Sequence, residues 1–256
     1  MLTAIDSSGI KTFGCAANRD DTYTCPLCVD TVVLKRGRVK VAHFAHKANT
    51  TCPGSNESPR HMLLKQLLYD FFCDMPGVAR VEIEKIVGSR IADILLTGQR
   101  GGSIAVEVQL SNVGLDDLGW KLDDYNRRGI APLYIVSHKS VENVCCVRAI
   151  PAWIRALHAL YMGRVYTFDG PIMGEWGILP VHLNSIYAHR DDYFNQDGEL
   201  CDGGTYYYKS AKQIVPSNIY VGVGDKPRLT ITKVSCKSRL LPGDYTVAMF
   251  NDRKFW

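Results

Sequence analysis

The spacing of apolar residues changes period several times along the chain, and each change marks an element. After Ser58-Pro59, apolar side chains stand at 63, 64, 67, 68, 71 and 72, the stripe of a helix with Ser as cap and Pro at its first position. Pro76-Gly77 closes that region. Val81 to Ile86 then alternates with period two, as a half-buried strand does. Ile91–Leu96 predicts a second strand, Gly98 to Gly102 a turn, and Ser103–Leu110 a third strand. Leu115–Arg128 predicts an amphipathic helix with Gly129 just beyond it, and Leu133–Val136, apolar throughout, a buried central strand. Upstream, Val32 to Val41 reads as a hairpin turning at Arg36-Gly37; downstream, Pro151 to Tyr161 reads as a helix. The pattern predicts three parts, 1–56, 57–138 and 139–256, in an α/β chain with an α+β mixed sheet.

Polar residues that break the apolar strands carry the chemistry. Asp93 interrupts the second strand; Glu107 and Gln109 interrupt the third at i and i+2, on one face. Polar groups within adjacent buried strands are costly unless paired or bound to a cation. Two carboxylates meeting across a hairpin offer hard oxygen ligands suited to Mg²⁺ or Mn²⁺. The same spacing also fits two solvent-facing carboxylates on an ordinary hairpin. Glu82 and Glu84 alternate with apolar residues and are expected on a solvated face.

The first part suggests a different metal. Cys25-x2-Cys28 is a tight knuckle, and His43, His46 and Cys52 follow, five donors for a tetrahedral ion that needs four. The expected ligands of a structural Zn²⁺ are Cys25, Cys28, His46 and Cys52, with His43 as the substitute, because the two histidines face opposite sides of a strand. The nine cysteines, an odd number, fit metal ligation better than a disulfide framework, and the N-terminus lacks the pattern of an export signal, so a cytoplasmic location is expected. Cys145-Cys146 receive no role. The formal charge of +4 is mildly basic, and no long apolar run implies a membrane span. Lys35, Arg36, Arg38 and Lys40 make the predicted hairpin a basic ribbon able to contact phosphates, or simply a solvated hairpin.

The order helix, three strands, helix, strand, with Asp93 on one strand and Glu107-x-Gln109 on the next, resembles the PD-(D/E)xK nuclease superfamily. Cys25-Pro26-Leu27-Cys28, His43-Phe44-Ala45-His46, Glu57-Ser58-Pro59-Arg60-His61, Asp93 and Glu107-Val108-Gln109-Leu110-Ser111 resemble, in that order, the competence protein CoiA-like nuclease family. The resemblance covers roughly residues 20–165. It implies a restriction-endonuclease-like core over 57–138, preceded by a zinc-binding module and followed by a C-terminal extension. It also implies Asp93 and Glu107 as metal ligands and Gln109, where the signature usually has Lys, as the group positioning water. Glu57 stands where several branches place an extra acid, and His61 and Lys65 follow it at i+4 and i+8 on one helix face. Lys65 is thus placed to supply the charge that Gln109 lacks, although a solvated face explains the same spacing.

The function expected is metal-dependent phosphodiester hydrolysis, of DNA rather than RNA, in processing incoming DNA or in phage defence. Two other classes fit the same sequence: a non-catalytic nucleic-acid-binding protein, and a subunit or inhibitor within a defence or recombination assembly. A homo-oligomer or a defence-complex partner is compatible with either. Residues 139–256 are less informative; Tyr206, Tyr207, Tyr208, Lys209 and Lys212 could stack on or contact a single strand, and the bland reading is strand packing.

Overall fold

The structure, a computed structural model, describes residues 1–47, 51–52, 57–137, 147–168, 177–216 and 228–251; Cys145-Cys146 lie outside these. It is a mixed α/β chain that divides into two compact units, one of residues 1–108 and 129–133, the other of 109–128 and 134–256.

The first unit opens with a five-stranded sheet of short strands: β1 (Thr3–Asp6), β2 (Lys11–Phe13), β3 (Tyr23–Thr24), β4 (Thr31–Lys35) and β5 (His43–His46), in the order β2-β1-β3-β4-β5. Tyr23 and Phe44 pack at 4.8 Å between ring centroids at its core, beside buried Cys25 and Cys52. The predicted hairpin is shorter on its second side. Lys35 pairs with His43, so residues 36–42 form the connection and Arg38 to Val41 are not a strand. Gly14 helps fix this connection, because a Cβ there would meet the Ala42 carbonyl oxygen at 2.7 Å.

Helix α1 (Pro59–Cys73) packs on the antiparallel strands β6 (Val78–Val87) and β7 (Arg90–Gly98), and β8 (Ser103–Gln109) pairs with β7. Ser58 caps α1, its Oγ accepting the His61 N–H at 3.1 Å. The buried face of α1 comprises Met62, Leu64, Lys65, Leu68 and Phe72, a hydrophobic stripe with one ammonium inside it.

Strand β6 departs from strict alternation. Ile83 and Glu84 are consecutive yet both buried, because Glu84 takes a left-handed backbone with φ +49°. This corrects the expectation of a solvated Glu84. Its carboxylate accepts the backbone N–H of Leu2 (2.7 Å) and of Thr3 (3.0 Å), the Thr3 hydroxyl (2.7 Å) and the Lys65 ammonium (2.7 Å). Lys11 donates to the carbonyls of Ile83 (2.6 Å) and Glu84 (2.7 Å), bracing the strained residue from β2. Glu82, by contrast, pairs at the surface with Arg80 and Lys85.

The second unit contains α2 (Leu115–Arg127), the last residues of β9 (Ile130–Val136), β10 (Val147–Ala149), α3 (Ala152–Leu160), β11 (Val165–Thr167), β12 (Leu179–His189), the small ribbon β13 (Tyr193–Phe194) and β14 (Leu200–Cys201), β15 (Thr205–Pro216), and the hairpin β16 (Leu229–Cys236) and β17 (Gly243–Phe250). All seven residues of β9 are buried, as an unbroken apolar run predicts. Gly129, at φ +69°, ends α2 in the left-handed conformation that favours glycine. β11 runs parallel to β9 and antiparallel to β12, which pairs with β15, so the sheet is mixed. Asn126 on α2 both donates to and accepts from the Thr246 backbone, at 2.8 and 2.7 Å, fixing the helix to β17. Among the described residues no helix is long and apolar enough to cross a membrane.

Removing Glu84 strips Lys65 of a partner and leaves the N–H groups of Leu2 and Thr3 without this acceptor. Glu84→Ala is expected to destabilise the protein by roughly 3 kcal/mol. Glu82→Ala, which breaks only partly exposed pairs, is expected to cost under about 1 kcal/mol. Urea denaturation followed by circular dichroism checks the difference; equal losses would remove Glu84 from its anchoring role.

Candidate active site and metal-binding groups

One turn of α1 separates His61 from Lys65, and Glu57 precedes the helix by two residues, so all three side chains converge on one face. They meet Asp93 from β7 and Glu84 from β6. His61 bridges the acids, with Nδ1 2.7 Å from Glu57 Oε1 and Nε2 3.3 Å from Asp93 Oδ2. The Lys65 ammonium contacts Glu57, lies 2.7 Å from Glu84 Oε1 and 3.9 Å from Asp93 Oδ1, and is 4% exposed. Asp93 also accepts the Val108 N–H at 2.9 Å, which holds its carboxylate against β8. The Met1 ammonium stands 3.4 Å from Glu57 Oε2.

The magnitudes explain why several acids surround one lysine. A carboxylate about 4 Å from an ammonium contributes roughly 4 kcal/mol at an effective dielectric near 20. Taking the ion out of water costs several kcal/mol. One distant acid would hardly offset that cost; Glu57, Glu84 and Asp93 together do. Burial opposes the charged form of Lys65, but these acids outweigh it and raise its pKa above the ordinary lysine value. Burial likewise opposes ionised Glu57, yet hydrogen bonds from His61 and the charge of Lys65 hold its pKa down at about 2. Asp93 is held below the usual carboxylate range against its burial by His61 and Lys65. Burial disfavours protonated His61, and its bonds to Asp93 and Glu57 overcome this, pushing its pKa up to about 10.

Glu57, His61 and Asp93 offer ligand atoms that all lie within 4.8 Å of one another, a group able to hold a metal ion. Glu107 is 3% exposed on β8. The β7–β8 register, Ile94 with Val106 and Leu95 with Ala105, extended by one residue sets it opposite Asp93, but it is not part of that group. Gln109 belongs to the second unit, where its side-chain amide donates to the Ser111 carbonyl at 2.8 Å. The structure thus gathers Asp93 with Glu57, His61 and Lys65, and adds Glu84, which sequence reasoning set aside.

A second group is Cys25, Cys28, His46 and Cys52, whose ligand atoms also lie within 4.8 Å of one another. Cys25 Sγ is 3.8 Å from Cys52 Sγ, and Cys28 Sγ is 3.3 Å from His46 Nε2. Sulfurs bound tetrahedrally at about 2.3 Å from one ion stand about 3.8 Å apart, so this Cys₃His set fits a metal of that kind. His43 is turned elsewhere, its Nδ1 2.8 Å from the Val41 carbonyl oxygen. The knuckle and the acid cluster share a cavity of about 260 Å³, lined on one side by Cys25, Pro26 and Leu27.

Of the basic residues, Lys35, Arg38 and Lys40 border a separate concavity with His43. Arg36 borders the same concavity, and its guanidinium also donates to the carbonyls of Gly14 (2.7 Å) and Cys15 (2.9 Å). In the second unit Tyr207 and Tyr208 are exposed on β15, Arg190 lies over the Tyr206 ring, and Lys212 bonds Ser185.

The His61 pairing gives the metal-free protein a pH signature. With a folded pKa near 10 against an ordinary 6.5, its stabilisation is full below pH 6.5 and is lost as pH rises through 10. Glu57 contributes in the opposite sense, above its ordinary 4.5, and loses its contribution only as pH falls through about 2. In chelator, the excess in Tm of wild type over His61→Gln is expected to shrink steadily from pH 6.5 to 10. A constant excess would contradict the pairing.

The model of the N-terminal domain of competence protein CoiA matches residues 11–55, and that of the CoiA nuclease-like domain matches residues 57–154. Competence protein CoiA of Bacillus subtilis (strain 168) is 26% identical over 129 residues, 47% of this chain and 32% of that protein. The match thus spans about a third of the relative's length. No solved structure matches. Two adjoining domain models in order, and a curated relative that carries the name of both, show that the chain belongs to the CoiA-like family.

Proposed function

We propose that the chain is a divalent-metal-dependent nuclease that hydrolyses phosphodiester bonds of DNA. The observation that carries the reading is the convergence of Glu57, His61 and Asp93 beside a buried lysine, within a nuclease-like domain. Two carboxylates and an imidazole suit Mn²⁺ and, with water completing the shell, Mg²⁺. Such a cation supplies Lewis acidity toward a phosphodiester oxygen.

The residues divide the remaining work. Asp93, fixed by the Val108 N–H, and Glu57, fixed by Lys65, present preformed carboxylate ligands. His61 must release its proton for its nitrogen to act as a ligand, so protonation and metal compete for that nitrogen. Lys65 holds the acids in position and is the positive charge of the site in place of Gln109, to which no step is assigned. Glu107, buried on β8 opposite Asp93, is a further carboxylate available to the same cation. Lys35, Arg36, Arg38 and Lys40 supply the positive charge that contacts the backbone of the nucleic acid. Zn²⁺ at Cys25, Cys28, His46 and Cys52 has a structural part, holding the knuckle in the wall of the cavity.

A second reading, a nucleic-acid-binding protein without catalysis, draws on the mutual pairing of the acids with His61 and Lys65, which offsets their charge without a cation. A cleavage assay separates the two. Wild type is expected to cut DNA with Mg²⁺ or Mn²⁺ and to stop in chelator. Asp93→Ala is expected to lose at least about a hundredfold in rate with its circular dichroism spectrum retained. Undiminished cleavage by Asp93→Ala, or the same rate in chelator, would refute the assignment.

The zinc assignment has its own measurement. Elemental analysis of protein purified without chelator is expected to give about one equivalent of zinc, and Cys28→Ser to lose most of it. Less than about half an equivalent in the wild type would count against a zinc site.

A further inference from the structure

The cavity above the acid cluster has two sides of different chemistry. Its floor is charged: Glu57, His61, Lys65, Glu84 and Asp93, with Met1 beside them. Its walls are apolar: Pro26 and Leu27 from the knuckle, and Ile86 and Ile91 from the hairpin of β6 and β7. Ile86 is 44% exposed, an unusual place for a large aliphatic side chain beside an ionic cluster.

A duplex presents a hydrated, charged backbone to its surroundings and keeps its bases stacked inside. Pressing that backbone against Pro26, Leu27, Ile86 and Ile91 would remove water from phosphates without offering them a partner. An unpaired nucleotide is different. Its base and sugar have apolar faces that lie against aliphatic side chains, while its phosphate reaches the polar floor. The volume of about 260 Å³ lies just under that of ligand cavities, which run from roughly 300 Å³ upward, and leaves room for one small group.

We propose that this cavity is a subsite for one unpaired nucleotide, that the substrate class is single-stranded DNA, and that Leu27 and Ile86 are its specificity-determining contacts. The inference rests on the reading of the acid cluster as a phosphodiesterase site. It also gives the Cys₃His group a consequence for substrate choice, since Cys25 and Cys28 flank Pro26-Leu27 and set where that wall stands.

Binding tests this without turnover. Fluorescence anisotropy would compare a short labelled oligodeoxynucleotide with the same strand in a duplex, with Ca²⁺ in place of Mg²⁺. Wild type is expected to hold the single strand at least about tenfold more tightly than the duplex, the scale of burying one aliphatic side chain. The double variant Leu27→Ala, Ile86→Ala is expected to lose that preference by weakening single-strand binding alone, with its zinc content unchanged. Leu27→Phe, which keeps an apolar face, is expected to retain the preference and guards against a folding failure of the double variant. Equal affinity for both forms in the wild type, a preference untouched in the double variant, or a preference abolished by Leu27→Phe, would overturn the proposal. Cleavage distinguishes it from the reading beneath it. Equal cutting of both forms overturns the subsite and leaves the nuclease standing; preferential binding with no cutting under any metal overturns the nuclease and leaves the subsite standing.

Discussion

The Lys65 ammonium sits inside the apolar stripe of α1, 4% exposed, where water cannot solvate it. A charge in that position must collect counter-charges from whatever packs around the helix, and it does so from three directions. Glu57 comes from the residues before α1, Glu84 from β6 and Asp93 from β7. The demand propagates further. Glu84 reaches Lys65 only by adopting a left-handed backbone, and its remaining acceptor capacity binds Leu2 and Thr3 of the N-terminal sheet. Lys11 then braces the carbonyls beside that residue. The N-terminal sheet, the helix and the β6–β7 hairpin are therefore joined through one buried ion cluster rather than through apolar packing alone. Such clusters are weak evidence for stability in themselves, because hydrophobic replacements often serve as well. Their persistence here fits a site that must keep carboxylates ionised and aligned.

The N-terminal sheet contributes more than support. Cys25 belongs to its hydrophobic core and also borders the cavity above the acids, so the knuckle joins the packing of that sheet to the wall of the site. A metal held by this Cys₃His group would make the wall's position depend on four ligands instead of a short loop's own preferences. In the functional reading proposed, the two metal groups have separate duties: one shapes the enclosure and the other faces the substrate.

Much of this arrangement is legible in the sequence, and the failures have physical causes. Helical period places Glu57, His61 and Lys65 on one face, and strand period isolates Asp93; local geometry alone decides both. The opposite facing of i and i+3 in a strand excludes one of His43 and His46 from the cysteine group without saying which, and the structure gathers His46 with Cys25, Cys28 and Cys52. Glu84 escaped because alternation assigns it the same face as Glu82, and a single positive φ in mid-strand leaves no trace in a period-two pattern. The second side of the hairpin escaped because Arg38 to Val41 have strand-like composition, while Arg36, drawn to the carbonyls of Gly14 and Cys15, opens the connection. Glu107 lies opposite Asp93, as adjacent strands predict, yet the acid that joins Asp93 in the compact ligand group is Glu57, reached through the fold and not through the neighbouring strand.

Glu57, His61 and Asp93 are proposed to form one divalent-metal site. Diffraction from crystals soaked in Mn²⁺, with anomalous differences collected at the manganese edge, tests it directly. A peak within bonding distance of all three side chains is expected, with the His61 nitrogen released from its carboxylate partner. A well-ordered soak that leaves the three side chains paired only with one another and with Lys65, and binds manganese elsewhere or nowhere, would contradict it.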